Sequence, residues 1–218
     1  LIVGISGGID SSVVSTLCAN TGRKTIVLTM PIKQIKSQHD LSLSHAKWLK
    51  ENYKNVEHHL LEMDKIFNSF TQVLNKFDNE HGYANSRARL RMATLYQVAA
   101  ANNGIVVGTG NKVEDFGVGF YTKYGDGGVD ISPIADCTKT QVWELGRHLG
   151  VSEDIINCQP TDGLWDDGRN DVQQLGMSYE DLEKAMEDKN NPNYQKYLKI
   201  REKNLHKMNP IPVCKFNE

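Results

Sequence analysis

The sequence predicts an α/β fold: a doubly wound, mainly parallel five-stranded sheet with helices on both faces. Two patterns carry that expectation. Short apolar runs alternate with amphipathic stretches of helix length, the order from which covered parallel sheets are built. The first run also leads through a Gly-rich turn directly into a helix. A composition of 39% hydrophobic and 24% charged residues in a chain of 218 suits one globular domain spanning residues 1–218.

Taken in order, the first strand is expected at residues 1–5, Leu1-Ile2-Val3-Gly4-Ile5, an uninterrupted apolar run of the kind buried on both faces. The chain opens on this run without Met, so an N-terminal segment is expected to be missing. Further strands are expected at 25–30, 56–61 and 105–108, with a less regular one at 129–134. Helices are expected at 9–20, 38–53, 65–76, 83–102 and 139–149, followed by a helical tail at 179–187 and 193–207. Thr138 with Gln141, and Ser178 with Asp181, have the spacing of helix-starting caps, and Gly150 stands where a left-handed C-terminal cap is common. In the helix from Tyr83, the residues Ala84, Ala88, Met92, Leu95 and Ala99 form one narrow stripe at about 100° per residue, a core-facing surface. The Gly/Asp-rich stretches 117–130 and 161–171 are the long irregular segments, and such loops in a small domain are often functional.

Charge and cysteine content narrow the function classes. Twenty-five Lys+Arg against twenty-seven Asp+Glu give a net charge of −2, which leaves no broad basic surface for nucleic acid or a membrane. No apolar stretch approaches the roughly 20 residues that span a bilayer. Cys18, Cys137, Cys158 and Cys214 are widely separated and form no C-x-x-C, so neither a disulfide framework nor a zinc ribbon is indicated. The expected setting is the reducing cytoplasm.

The sharpest local signal is Ser6-Gly7-Gly8-Ile9-Asp10-Ser11-Ser12 at the end of the first strand. Two glycines let the backbone approach an anion, and the helix starting near Ile9 aims its first N–H groups and positive dipole end at the same place. A pyrophosphate suits this loop. Asp10 would repel it unless a divalent cation lay between, which predicts Mg²⁺. The familiar nucleotide loops do not fit: G-x-x-x-x-G-K-[ST] is absent, and Gly108-Thr109-Gly110 has Val113 where a dinucleotide fingerprint needs its third glycine. A plain Gly-rich turn with Asp10 as a helix-start carboxylate is the bland alternative.

Ser-Gly-Gly-x-Asp-Ser after a first strand resembles the loop of the ATP pyrophosphatases, which split ATP between its α and β phosphates and adenylate a carboxylate or carbonyl. Gly108-Thr109-Gly110-Asn111-Lys112-Val113-Glu114, the run Lys123 to Asp130 and Pro133-Ile134 narrow the likeness. Together with Ala88-Arg89-Leu90-Arg91-Met92, Pro160-Thr161 and His206-Lys207, they resemble the ammonia-dependent NAD⁺ synthetases, in order from Gly4 to Lys207.

That resemblance implies an adenine nucleotide alpha hydrolase-like fold and amidation of deamido-NAD⁺ through an adenylated intermediate, with ATP as co-substrate, ammonia as nitrogen donor, and AMP and pyrophosphate as products. It implies that Gly4, Ile5, Ser6, Gly7, Gly8, Ile9, Asp10 and Ser11 hold ATP with Thr109, Lys139 and Thr161. Asp10 and Glu114 would ligate Mg²⁺, and Asp10, Glu114 and Lys139 would form the catalytic set. Arg89, Lys123, Asp130, His206 and Lys207 would bind deamido-NAD⁺. Family members are homodimers that share the dinucleotide site, so a homodimer is implied too.

The residues agree with several of these roles. Thr109 and Glu114 follow the strand at 105–108, at the carboxyl end where open α/β sheets bind ligands. Lys139 falls in the first turn of a helix, an unfavourable place for a cation unless it meets an anion. Arg89 and His206-Lys207 would otherwise be solvated charges, and Asp126 an ordinary turn residue. His58 and His59 are adjacent on a strand and point to opposite faces, so they do not share a metal. Trp143, Trp165 and Tyr124 read as packing residues, and the loops 117–130 and 161–171 as lids over the nucleotide. The stretch between Glu114 and Lys123 is one residue longer than in several bacterial members, which bears on where Lys123 lies. Residues 162–174 are fewer than usual there, with Asp171-Val172 where an Asp-Glu pair is common.

Two other readings compete: amidation of nicotinate mononucleotide, which needs the same ATP chemistry, and a non-catalytic adenine-nucleotide-binding module. A tRNA-modifying pyrophosphatase fits the charge and the cysteines less well.

Overall fold

Three consecutive strands pair in parallel in the computed structural model of the chain, which describes residues 1–161 and 171–216. The chain runs through β1 (Ile2–Gly4), α1 (Ile9–Asn20), β2 (Thr25–Thr29), α2 (Lys36–Asn52), β3 (Val56–Leu60), α3 (Asp64–Val73) and α4 (Glu80–Ala101). A π-helical turn, Lys112–Val118, precedes α5 (Lys139–His148), α6 (Glu153–Ile156), α7 (Asp171–Leu175), α8 (Tyr179–Glu187) and α9 (Tyr194–Met208). The sheet order is β1-β2-β3, with Ile2 opposite Ile26 and Thr25 opposite Val56.

Because side chains alternate along a strand, sequence parity divides the core. Val3, Ile5 and Val27 meet Val13 of α1, Leu49 of α2 and Val142 of α5. On the opposite face, Ile2, Ile26 and Leu28 pack against Phe67 of α3 and against Met92, Leu95 and Ala99 of α4. The sheet is therefore covered on both sides, as the alternation of strand-length and helix-length runs implies. The α4 stripe is buried at all five expected positions, and α1 begins and ends where its periodicity says. Helix α4 starts three residues earlier than expected because Asn79 caps it, its side chain accepting the Gly82 N–H at 2.7 Å.

Five strands are expected, and among the described residues three form; the run at 105–108 meets β1 through an isolated parallel bridge, Ile2 with Val106, and the run at 129–134 meets that run in turn through Val107 with Ile131. The reason is local. Asp130 places a carboxylate oxygen 2.7 Å from the Val106 N–H, taking the donor that a neighbouring strand's carbonyl would have used. Just beyond Val107, Gly108 donates to Ile131 and the chain leaves the sheet through Thr109 and Gly110 toward the site.

A third apolar cluster lies beyond the sheet. Val113 and Val118 of the π turn pack with Leu182 and Ala185 of α8, Tyr197 of α9, and Leu175 and Met177. The sequence does not predict the π turn. Among the described residues, no helix is long and apolar enough to cross a membrane.

Candidate active site

Strand β1 delivers the chain into the loop at residues 6–11. Gly7 is there because of space and dihedral: its φ is +93°, and a Cβ would stand 2.4 Å from the Gln38 carbonyl oxygen. The loop is braced from within. Ser6 Oγ and Ser11 Oγ lie 3.0 Å apart, Gly8 N–H donates to Ser6 Oγ, and Ser11 Oγ donates to the Gly8 carbonyl. Helix α1 starts at Gly8 with no side-chain cap among the described residues, so its first-turn N–H groups and dipole face the cleft without a competing side-chain oxygen.

Opposite this loop stands a charged group buried to a degree that requires partners. Lys139, 1% exposed, donates from Nζ to Asp10 Oδ2 at 2.6 Å and to Glu114 Oε1 at 2.8 Å. Three separate elements supply these groups. Asp10 is in the first turn of α1 and Glu114 in the π turn, while Lys139 opens α5 behind a capping box in which Thr138 and Gln141 bond reciprocally. Asn111, fully buried, joins two of them: its side chain accepts the Val113 and Glu114 N–H groups, capping the π turn, and donates to Asp10 Oδ1 at 2.9 Å.

The electrostatics follow from that burial. Burial opposes the Lys139 charge, but the two carboxylates outweigh it and hold the ammonium protonated above its ordinary range. Burial raises the Asp10 carboxyl, Lys139 pulls it back, and the Glu114 charge adds to the rise. Glu114 is held low: burial acts against it, but Lys139 and the Tyr179 hydroxyl, which donates to Oε1 at 2.5 Å, prevail. Asp115, which also faces the cleft, is raised well above the carboxylate range by burial and by the charges of Asp126, Glu114 and Asp10. Its carboxylate lies over Gly110, where a Cβ would come within 2.0 Å of Oδ2.

Gly4 through Ser11, Thr109, Glu114, Lys139 and Thr161 line one cleft. The apolar part of its wall, with Met30, Met92 and Leu95, continues from the α4 stripe, and Arg91 is held there by a bond from Nε to the Met30 carbonyl. The remaining sequence-selected residues lie elsewhere. Arg89, Lys123 and His206 are tied to one another, Arg89 Nε donating to the Lys123 carbonyl and Lys123 Nζ to the His206 carbonyl at 2.8 Å. Lys207 donates to the Tyr121 carbonyl and is close enough to Asp126 and Asp115 for their charges to oppose the lowering of its pKa by burial. Asp130 stands apart from this group, bound to Val106 N–H and to the Tyr96 hydroxyl. Trp165 and most of the second expected lid, residues 162–170, lie outside the described residues.

Sequence reasoning passed over Asn111 and Tyr179. Asn111 is legible afterwards as a helix-starting residue three before Glu114. Tyr179 is legible only as the residue after the Ser178 cap; its contact with Glu114 spans 65 positions.

Comparison with known proteins gives the family. A family model described as NAD synthase matches residues 1–213. The NH(3)-dependent NAD(+) synthetase of Alkaliphilus metalliredigens is 39% identical over 205 residues, 91% of this chain and 82% of that protein. Among solved structures, an NMN synthetase from Francisella tularensis superposes with a TM-score of 0.90 at 30% identity, covering 99% of this chain and 89% of that one. The NH3-dependent NAD synthetase of Campylobacter jejuni gives 0.76 at 27% identity, covering 98% and 89%. The chain belongs to the NAD synthase family.

Proposed function

We propose that the protein catalyses ATP-dependent amidation of deamido-NAD⁺ to NAD⁺, with ammonia as nitrogen donor, through an acyl-adenylate and with release of AMP and pyrophosphate. The observation that carries this reading is the Lys139 ammonium between Asp10 and Glu114, beside the loop at residues 6–11. The substrate carboxylate attacks the α-phosphorus of ATP, and negative charge gathers on the phosphoryl oxygens and the departing pyrophosphate. Lys139, itself buried, and the first N–H groups of α1 border that charge, and fixed donors act most strongly where water is excluded. Ammonia then attacks the activated acyl carbon and AMP leaves, a step that asks for a dry pocket and no protein nucleophile.

The donor set fits Mg²⁺. Asp10 and Glu114 are hard oxygen ligands that already bracket one cation, Lys139 Nζ, and a nucleotide-bound Mg²⁺ commonly takes one or two carboxylates besides phosphate and water. Bound there, the ion would neutralise phosphate charge. Asp10 and Glu114 would hold it, and Lys139 would bind the phosphates beside it. Arg89, Lys123 and Lys207, with His206 beside them, are the group read as binding the dinucleotide, and Asp130 as a further contact with it. Residues 1–218 act as one domain, paired in a homodimer in the cytoplasm.

The likeness to the Francisella NMN synthetase favours a second reading, in which nicotinate mononucleotide is the preferred acceptor. One assay separates them: protein, Mg-ATP, ammonium and either acceptor, with pyrophosphate and amidated product measured. A higher kcat/KM for deamido-NAD⁺ supports the first reading, and the reverse order supports the second. Full turnover in Asp10→Asn and Glu114→Gln would remove the metal assignment. Sedimentation equilibrium at micromolar concentration tests the dimer.

A further inference from the structure

We propose that Tyr179 of α8 is a positioning residue for the phosphoryl site, fixing Glu114 through its hydroxyl and walling Lys139 with its ring. The proposal rests on the reading of Glu114 and Lys139 given above.

Tyr179 is 4% exposed, and a buried phenol hydroxyl needs a polar partner. Its partner is Glu114 Oε1, the same oxygen that receives Lys139 Nζ. Two donors on one oxygen fix the plane of a carboxylate far better than one, and both are charge-assisted here. The ring does separate work: its centroid lies 4.9 Å from Lys139 Nζ, and it meets Trp143 edge-on at 5.9 Å with an interplanar angle of 89°. The ammonium is thus enclosed by two carboxylates and an aromatic face that is itself held by a second ring.

The rest of α8 points the same way. Glu183, one turn after Tyr179, accepts the Thr140 N–H at 3.0 Å and the Thr140 hydroxyl at 2.7 Å. That carboxylate sits at the N-terminus of α5, where the dipole favours it, and fastens the first turn that carries Lys139. One helix therefore grips Glu114 and the turn that carries Lys139, while Leu182, between the gripping residues, and Ala185, just after them, anchor it to the π turn. Of the polar groups that could satisfy its hydroxyl, Tyr179 meets the carboxylate proposed to hold the metal.

The test uses Tyr179→Phe, which keeps the ring and removes one donor. Outer partners of metal-binding carboxylates typically account for about 10–100-fold in affinity or activity. The expected result is a melting temperature close to wild type, a dissociation constant for Mn-ATP weakened about tenfold by calorimetry, a similar fall in kcat, and an unchanged KM for the acceptor. In a Glu114→Gln background the same substitution should add little, because Tyr179 acts through Glu114. Unchanged Mn-ATP affinity and kcat would overturn the proposal. So would a loss that merely follows the unfolded fraction, or full additivity with Glu114→Gln. If wild type binds Mn-ATP but turns over neither acceptor, and Tyr179→Phe still weakens binding, the positioning role stands and the proposed reaction falls. If wild type binds no Mn-ATP, both fall.

Discussion

Lys139, 1% exposed and flanked by two carboxylates, cannot be removed without leaving their charges buried and unbalanced. Lys139→Met is accordingly expected to cost about 3–5 kcal/mol in urea unfolding and about 10²–10³-fold in turnover, so stability and rate should fall together. A second buried group affects stability alone. His45, 3% exposed, stacks on Trp48, lies 3.0 Å from Ser15 Oγ, and has its pKa lowered to about 4 by burial. Its folded value is below the ordinary 6.5, so the unfolded chain binds the proton more readily, and stability rises with pH across that interval. The contribution is fully present above pH 6.5 and is lost as pH falls toward 4, amounting to about 3 kcal/mol. Urea unfolding at pH 7 and pH 4.5 should show this loss in wild type, and a markedly smaller one in His45→Asn. Composition and pattern reveal neither burial. Lys139 was legible as a cation in an unfavourable helix turn, whereas His45 shows no periodic or motif signal.

Helices were more legible than strands, and the physics says why. A helix satisfies its own backbone, so its limits are written locally: Thr138 with Gln141 and Ser178 with Asp181 cap α5 and α8 as their spacing implies. Strand pairing depends on the neighbour, and the Asp130 carboxylate that takes the Val106 N–H cannot be foreseen from an apolar run. Thr138→Ala removes a reciprocal cap, and a loss of about 1 kcal/mol is expected in thermal or urea unfolding. Because that cap also sets the first turn carrying Lys139, kcat should fall several-fold with little change in KM for the acceptor.

On the scale of the molecule, the sheet with its two helical covers holds the loop at residues 6–11, and the third apolar cluster holds α8 against the π turn. This division predicts that equal damage in different places has unequal effects. Leu182→Ala and Leu49→Ala each empty a fully buried leucine site and should each cost about 2–5 kcal/mol. Only the first lies on the helix that bears Tyr179 and Glu183, so only it should weaken Mn-ATP binding in the chains that remain folded. Calorimetry on both variants at a temperature where each is folded is the check. The order of motifs along the chain made the α/β class and the family readable. The third cluster was not, because its members come from residues 113–197 with no shared period.

The π turn at Lys112–Val118 bears on how the length of this chain can vary. An added residue in an α-helix rotates everything after it by about 100°, which at this position would swing Lys123 away from the His206 carbonyl. A wider turn can take up such a residue on the spot, and the left-handed Gly119, donating back to the Glu114 carbonyl, closes this one. Glu114 in the turn and Lys123 beyond it have their partners in Lys139 and the His206 carbonyl. A change of length beside the Glu114 carboxylate would thus be taken up as a local change of winding.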